Sequence, residues 1–258
     1  MPGRRYHAVG YFGDEDNENV MEDVMRIVVL TGSGVSAESG VATFRDRNGV
    51  WAKYDWRRAA TPEGFAADPA FVHAFYNERR RALPAVRPNA AHYALAKLEK
   101  ELAARGGSLT LVTQNVDDLH ERAGSKNLIH MHGELMKARC GACYSVHPWK
   151  DELSIETRCP VCDHAGAMRP HVVWFGEIPM ALDAIYEAVT SADLFAAIGT
   201  SGAVYPAAGL VGEARAMNIP CTELNLEPSE NAWLFTDSRY GPATKIVPRW
   251  VEETLNGA

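Results

Sequence analysis

A chain of 258 residues, 47% hydrophobic and 23% charged, can bury a sizeable core, which excludes an intrinsically disordered polymer. No apolar run approaches the roughly 20 residues that a membrane-spanning helix needs, so no membrane is expected as a partner. A formal net charge of -7 lacks the cationic surplus on which phosphate-backbone binding depends, and a nucleic-acid function is not expected either.

The first 25 residues carry the acidic run Asp14, Glu15, Asp16 and Glu18. They have neither the apolar centre of a secretion signal nor the acid-poor, arginine-rich character of a transit peptide. They read as a mobile or loosely docked extension, and the expected compartment is cytoplasmic.

Apolar, β-branched runs then recur at RIVVLT (26–31), LTLVT (109–113), LIHM (128–131), LFAAIG (194–199) and CTELNL (221–226). Each reads as a buried strand, and helical patterns lie between several of them. Strands alternating with helices imply an α/β fold with a parallel, doubly wound sheet. The rhythm breaks over about 135–170, which reads as a small inserted module. The expected organisation is a Rossmann-like domain over 26–134 and 171–258, with a helical insertion at about 45–85.

At the end of the first strand, Gly32, Gly34 and Ala37 form G-x-G-x-x-A. Small residues there let the backbone approach a pyrophosphate, whose charge is favoured at a helix N-terminus. A tight turn without ligand is the competing reading of the same glycines. A dinucleotide fold also wants an acidic residue about 20 positions on, at the end of a second strand. TFRDRNGVW, from 43, is instead polar and glycine-containing and reads as a mobile loop, so a ribose-holding group must come from elsewhere. Asn225 and Glu227, just past the last apolar strand, are candidates.

The stretch AFYNERRRAL (74–83) sits on a helix with Asp68 as the expected N-cap. Its apolar stripe runs through Val72, Phe75, Tyr76 and Leu83, and Arg79 falls on that stripe. A cation on an inward face needs an anion, and nothing in the stretch obviously supplies one on that face. The bland reading is pairing with an internal carboxylate or extension of the charged head to solvent. Further on, Leu95, Leu98 and Leu102 repeat at helical spacing until Gly106 and Gly107 stop the helix.

TQNVDDLH (113–120) and HMHGE (130–134) both begin at the ends of expected strands, where open α/β sheets gather ligand groups. Gln114, Asn115, Asp117 and His132 are therefore candidates for one site. Histidine suits general-base work because its unperturbed pKa is about 6.5. The pattern does not choose among His120, His130 and His132.

Cys140, Cys143, Cys159 and Cys162 form C-x2-C-x15-C-x2-C, which can surround one tetrahedral Zn²⁺ with four thiolates. Four sulfurs leave no position for a reactive water, so the metal should be structural. Disulfides are the weaker reading in a reducing compartment. Cys221, alone in an apolar strand, reads as a buried small hydrophobe.

Taken together, TGSGVSAESGVATFRD, TQNVD, HGE, the four cysteines, VVWFGE, GTS and NLEP resemble the sirtuins, NAD-dependent protein-lysine deacylases, over roughly 26–251. The resemblance is to the bacterial class III (CobB-type) members. It implies a large Rossmann-like domain and a small zinc lobe, with NAD as co-substrate and an acyl-lysine protein entering the cleft between them. It implies that Gly32, Ser33, Gly34 and Ser36 contact the cofactor, under a loop containing Phe44 and Arg45. Gln114 and Asn115 would hold the nicotinamide ribose and Asp117 the carboxamide, while Gly199, Thr200, Ser201, Asn225, Leu226, Glu227 and Ala243 would seat the adenosine end.

His132 matches the family's catalytic base, with Asn115 beside it. The acyl oxygen would attack the nicotinamide ribose, and His132 would activate a ribose hydroxyl, giving free lysine, nicotinamide and O-acyl-ADP-ribose. VVWFGE, through Val172, Trp174, Phe175 and Gly176, and GAVYP, through Val204, would clamp the peptide by main-chain pairing. Tyr76 and Arg79 match the Tyr-x-x-Arg pair of class III sirtuins and would hold the carboxylate of a succinyl, malonyl or glutaryl group, with Ala60 leaving room for the longer chain. Protein ADP-ribosylation, a dehydrogenase and a non-catalytic NAD sensor are the rival readings. A monomer is expected.

Overall fold

The computed structural model describes residues 24–43 and 49–257. Nearly all of the expected N-terminal extension, together with Phe44 and Arg45, lies outside the described residues.

The main sheet has six strands in the order β3-β2-β1-β7-β8-β9. These are β1 (Arg26–Thr31), β2 (Ser108–Thr113), β3 (Leu128–His130), β7 (Leu194–Ile198), β8 (Cys221–Asn225) and β9 (Asp237–Tyr240). Every neighbouring pair is parallel. The remaining strands, β4 (Gly133–Cys140), β5 (Val146–Pro148) and β6 (Met168–Val172), form a separate antiparallel sheet in the order β5-β4-β6.

Helices complete the layers. In chain order the described ones are α1 (Gly34–Ala37), α2 (Val50–Lys53), α3 (Trp56–Ala59), α4 (Pro62–Ala67), α5 (Pro69–Ala82), α6 (Ala90–Ala104), α7 (Leu119–Ala123), α8 (Leu182–Thr190), α9 (Leu210–Ala216) and α10 (Ala243–Gly257). Alternation along β1 shows why two layers are needed. Ile27 and Val29 pack with α6 and α10, through Leu95, Leu98, Trp250 and Val251. Val28 and Leu30 face the other way, onto α8 and α9 through Ile185, Val189, Leu210 and Val211. A strand apolar on both faces must be covered on both, which is why the runs read as continuous rather than alternating.

Outside this sandwich, α5 packs against β4 and β6. Val72, Phe75 and Tyr76 share a core with Leu135, Val172 and Trp174. The helix begins where the sequence places its cap, with the Asp68 carboxylate accepting from Phe71 N–H at 3.0 Å. Of the expected TFRDRNGVW loop, 44–48 lies outside the described residues, and Val50–Lys53 is one helical turn with Val50 buried against this cluster. Two elements carry no clear sequence signal. The edge strand β9 is the polar DSRY, and α10 contains Pro248.

The parallel sheet changes direction of winding around β1, which is flanked by β2 and β7, and a crevice opens there at the strands' C-terminal ends. The backbones after β1 and β7 touch. Gly34 N–H donates to Gly199 O at 2.9 Å, and Gly32 N–H donates to Ile198 O at 2.9 Å. Gly199 has φ +63°, and a Cβ there would lie 2.5 Å from Val35 N. Gly199→Ala is therefore expected to cost about 2 kcal/mol or more, from backbone strain and collision together, measured by urea denaturation.

Candidate functional site

The crevice is a cleft of about 1160 Å³ between the two sheets. It exceeds the roughly 300–1,000 Å³ of an ordinary small-ligand pocket and has room for two ligands. Gly32, Ser33, Gly34, Gln114, Asn115, His132, Gly199, Thr200, Ser201, Asn225, Leu226, Glu227 and Ala243 all line it. So do Ala60, Tyr76, Arg79, Val172, Trp174, Phe175, Gly176 and Val204. Residues scattered over most of the chain are thus brought to one place by the ends of β1, β2, β7 and β8 and by the α5–β6 contact.

The histidine ambiguity is resolved by position. His120 is buried behind β1 and β2, with Nε2 3.1 Å from the Thr31 hydroxyl. His130 is turned to Glu121, Nε2 to Oε1 2.6 Å, and does not line the cleft. His132 does line it, with Nδ1 3.2 Å from the Gln114 carbonyl. A carbonyl can only accept, so Nδ1 carries the proton, and in the neutral tautomer Nε2 is the nitrogen with the lone pair that a general base requires. The His132 main chain is itself fixed, its carbonyl accepting from Val173 N–H at 2.8 Å.

Ser36 and Asp117 do not line the cleft but form a buried layer beneath its floor. The Ser36 hydroxyl donates to Asp117 Oδ2 at 3.1 Å and accepts from Asn115 Nδ2 at 3.2 Å. His92 Nδ1 accepts from Asn89 N–H, so its Nε2–H is the donor to Ser36 Oγ at 3.3 Å. Asn115 Nδ2 also donates to Gly32 O at 3.2 Å. Burial raises the Asp117 carboxyl to about 6, against the opposing bonds from Leu119 N–H and Ser36, and lowers His92 to about 4. This layer locks Asn115 to the glycine turn.

The turn also differs from the sequence expectation. α1 is a single turn, and Gly34 N–H is already spent on Gly199 O. A Cβ on Gly32 would meet Gly199 O at 2.6 Å, and one on Gly34 would meet Gly199 Cα at 2.7 Å. The glycines are thus required by the close strand ends as well as by any ligand.

Among the described residues, Arg79 does not sit beside a buried carboxylate. Its side chain is 23% exposed, its Nη1 donates to Phe75 O at 2.7 Å, and its ion pair is a loose 3.8 Å contact with exposed Glu78. The guanidinium lies 3.4 Å from the centroid of the Phe75 ring and 5.2 Å from that of Tyr54, with its head at the cleft. Its neighbour Arg80, which the apolar stripe does not single out, is the more deeply buried cation. Arg80 is 2% exposed and donates to Leu135 O and to Asn77 Oδ1. Asn77 in turn exchanges two hydrogen bonds with the Leu153 backbone. Together they dock α5 onto the small lobe. Glu223 is a further residue outside the sequence expectation; it accepts from Ser229 N–H and the Tyr240 hydroxyl and holds the loop that follows Asn225. A charged residue inside an apolar strand was the available signal.

In the small lobe all four cysteine sulfurs lie within 4.8 Å of one another. Cys140–Cys162 and Cys143–Cys159 are 3.7 and 3.6 Å apart. A zinc tetrahedron with Zn–S near 2.3 Å has edges of about 3.8 Å, whereas a disulfide needs about 2.05 Å, so the sulfurs fit a metal and not two bridges. With Cys140, Cys159, Leu153 and Met168 the only substantial buried side chains here among the described residues, the ion would replace most of a core.

A parallel-sheet crevice with a glycine turn at its switch point, an oriented histidine and a four-cysteine lobe defines a dinucleotide-using enzyme with a structural zinc. Residues 32–206 match the Sir2 family. The chain is 59% identical over 235 residues to the NAD-dependent protein deacylase of Caulobacter vibrioides, covering 91% of this chain and 99% of that protein. It is 51% identical over 249 residues to the NAD-dependent protein deacylase of Escherichia coli K12, covering 96% and 88%. A Sir2 homologue solved with NAD superposes with a TM-score of 0.79 at 36% identity, covering 95% of this chain and 98% of that one. A Sir2 homologue variant solved with ADP-ribose gives 0.83 at 36% identity, covering 90% and 92%. The chain belongs to the Sir2 family.

Two measurements test the site's supports. Purified protein is expected to hold one zinc per chain by elemental analysis, and Cys159→Ser to lose it and melt on the order of 10 °C lower. Between its ordinary 3.8 and about 6, folded Asp117 keeps a proton that the unfolded chain has released, so the carboxyl withdraws stability as pH rises through that window. Relative to wild type, Asp117→Asn is expected to be about 1–3 kcal/mol better at pH 8 than at pH 4 in urea melts.

Proposed function

We propose that this chain, an NAD-dependent protein deacylase, removes succinyl- and malonyl-type acyl groups as well as acetyl groups from lysine side chains of proteins, acting as a cytoplasmic monomer. The observation that carries the acyl preference is the presence of Tyr76 and Arg79 in the same cleft as His132. Tyr76 and Arg79 are three residues apart on α5, so they share a face. A guanidinium whose ion pair among the described residues is the loose 3.8 Å contact with exposed Glu78, together with a phenol hydroxyl, supplies the donors that a terminal carboxylate requires. Ala60, small and buried beside them, leaves space for the chain that carries it.

When bound, NAD would supply the ribose carbon that takes the acyl oxygen as nicotinamide leaves; with one water consumed, the products are nicotinamide, O-acyl-ADP-ribose and free lysine. The residues of this chain provide placement and proton transfer. In this reading Gln114 and Asn115 hold the ribose, with Gln114 Nε2 fixed on the Thr200 hydroxyl at 3.1 Å. Asn225, whose Nδ2 donates to Thr200 O at 2.9 Å, ties the adenosine side to the same loop. His132 Nε2 removes a proton from a ribose hydroxyl. The main chain of 172–176 and that of 202–206 grip the substrate peptide from two sides, which admits many sequences. The zinc site takes no part in the chemistry, because four thiolates fill its coordination.

Arg79→Met is expected to lose about 2–4 kcal/mol in kcat/KM on a succinyl-lysine peptide and far less on the acetyl peptide. His132→Ala is expected to abolish both, with product masses followed with and without NAD. Equal losses on both substrates from Arg79→Met would remove the carboxylate-reading role while leaving deacylation in place.

A further inference from the structure

Tyr76 is buried, 5% exposed, and its hydroxyl has one hydrogen bond that decides what else it can do. The Trp174 indole Nε1–H donates to Tyr76 Oη at 3.0 Å. An indole N–H can only donate, so the phenol oxygen is the acceptor here. Among the described residues the phenol proton is given no acceptor, and Tyr76 is one of the residues that line the cleft. Burial also raises the phenol pKa, with the bond from Trp174 opposing, so the hydroxyl keeps its proton at every working pH.

The indole is in turn fixed from two directions. Its backbone N–H donates to Glu177 Oε2 at 2.8 Å, and Glu177 N–H donates back to the Trp174 carbonyl. The Arg169 guanidinium stacks 3.1 Å from the indole centroid and reaches Glu177 with Nη1 at 2.7 Å and Nη2 at 3.0 Å. Arg139 Nη2 adds a third bond to the same carboxylate, at 2.6 Å. Burial would raise Glu177, but the Arg169 bonds and the Trp174 N–H more than reverse this, and it stays ionised. Trp174 is itself only 2% exposed, so its indole has little freedom to turn its N–H elsewhere.

We infer that Trp174, held by Glu177 and Arg169, is a positioning residue for acyl selection: its indole N–H occupies the acceptor side of Tyr76 Oη and leaves the phenol proton aimed at the carboxylate of an acidic acyl group. The inference rests on the acidic-acyl reading above and goes beyond it, because a tyrosine hydroxyl left unpaired could rotate to accept instead. With the acceptor side filled, the group presented to the acyl end is a donor, which suits a carboxylate and gains nothing from a methyl.

The test is a cycle on the full chain: wild type, Trp174→Phe, Tyr76→Phe and the double variant, each with succinyl- and acetyl-lysine peptides at several pH values. Trp174→Phe is expected to lower the succinyl-over-acetyl ratio of kcat/KM about three- to tenfold, the worth of one aligned hydrogen bond, and mainly through the succinyl KM. In the Tyr76→Phe background the same change is expected to leave the ratio where Tyr76→Phe alone puts it. If Trp174→Phe does not fold, site-specific replacement of the indole by benzothiophene keeps the shape and deletes only the N–H. A ratio untouched by either replacement, or one lowered equally with and without the phenol, overturns the inference while a wild-type succinyl preference keeps the acyl reading standing. A wild type with no succinyl turnover sinks the acyl reading and this inference together.

Discussion

The backbone seam between the end of β1 and the end of β7 is the constraint on which the site depends. Gly32 and Gly34 on one side and Gly199 on the other bring two main chains into direct hydrogen-bonded contact, with no room for a Cβ on any of the three. That contact lies where the sheet's winding reverses, so the chains must leave in opposite directions and a crevice opens between them. Many groups that line the cleft leave from this seam or from the adjacent strand ends. Gln114 reaches across it to Thr200, Asn225 anchors to the Thr200 carbonyl, and Asn115 bonds to Gly32 O.

Beneath the seam the protein has filled its interior with hydrogen-bonded polar groups rather than with hydrocarbon. Asn115, Ser36, Asp117 and His92 form one connected set, and Thr31, Thr113 and His120 form another behind it. Such networks are costly when incomplete and rigid when complete. Here the result is an Asn115 side chain held at the cleft floor, and a carboxyl at 117 whose raised proton affinity reflects confinement.

The other wall is built on a different principle. α5 is too polar to be stable on its own propensity and is held by the small lobe, through Arg80 on Leu135 O and Asn77 on the Leu153 backbone. A zinc held by the sulfur cluster would stabilise the lobe, the lobe fixes the helix, and the helix presents Tyr76 and Arg79. A structural metal remote from the cleft would thereby bear on how these two side chains are presented to it.

Much of this was legible in the residues. The five apolar runs became parallel strands because an apolar strand has few ways to be buried other than in a two-sided sheet. The cysteine spacing determined a four-sulfur site, because two close pairs at that distance have one compact solution. Other features had no local signal. β9 is polar because it is an edge, and the pattern search looks for burial. Arg79 and Arg80 are chemically identical neighbours, so only packing decides that one is a buried strut and the other faces the cleft. The same holds for His120, His130 and His132, and for Ser36 and Asp117, which lie under the floor rather than on it. Sequence determined the kinds of groups available and the order in which strands deliver them. Only the tertiary structure decided which of those groups share a cavity and which way their hydrogens point, because both depend on contacts between residues far apart in the chain.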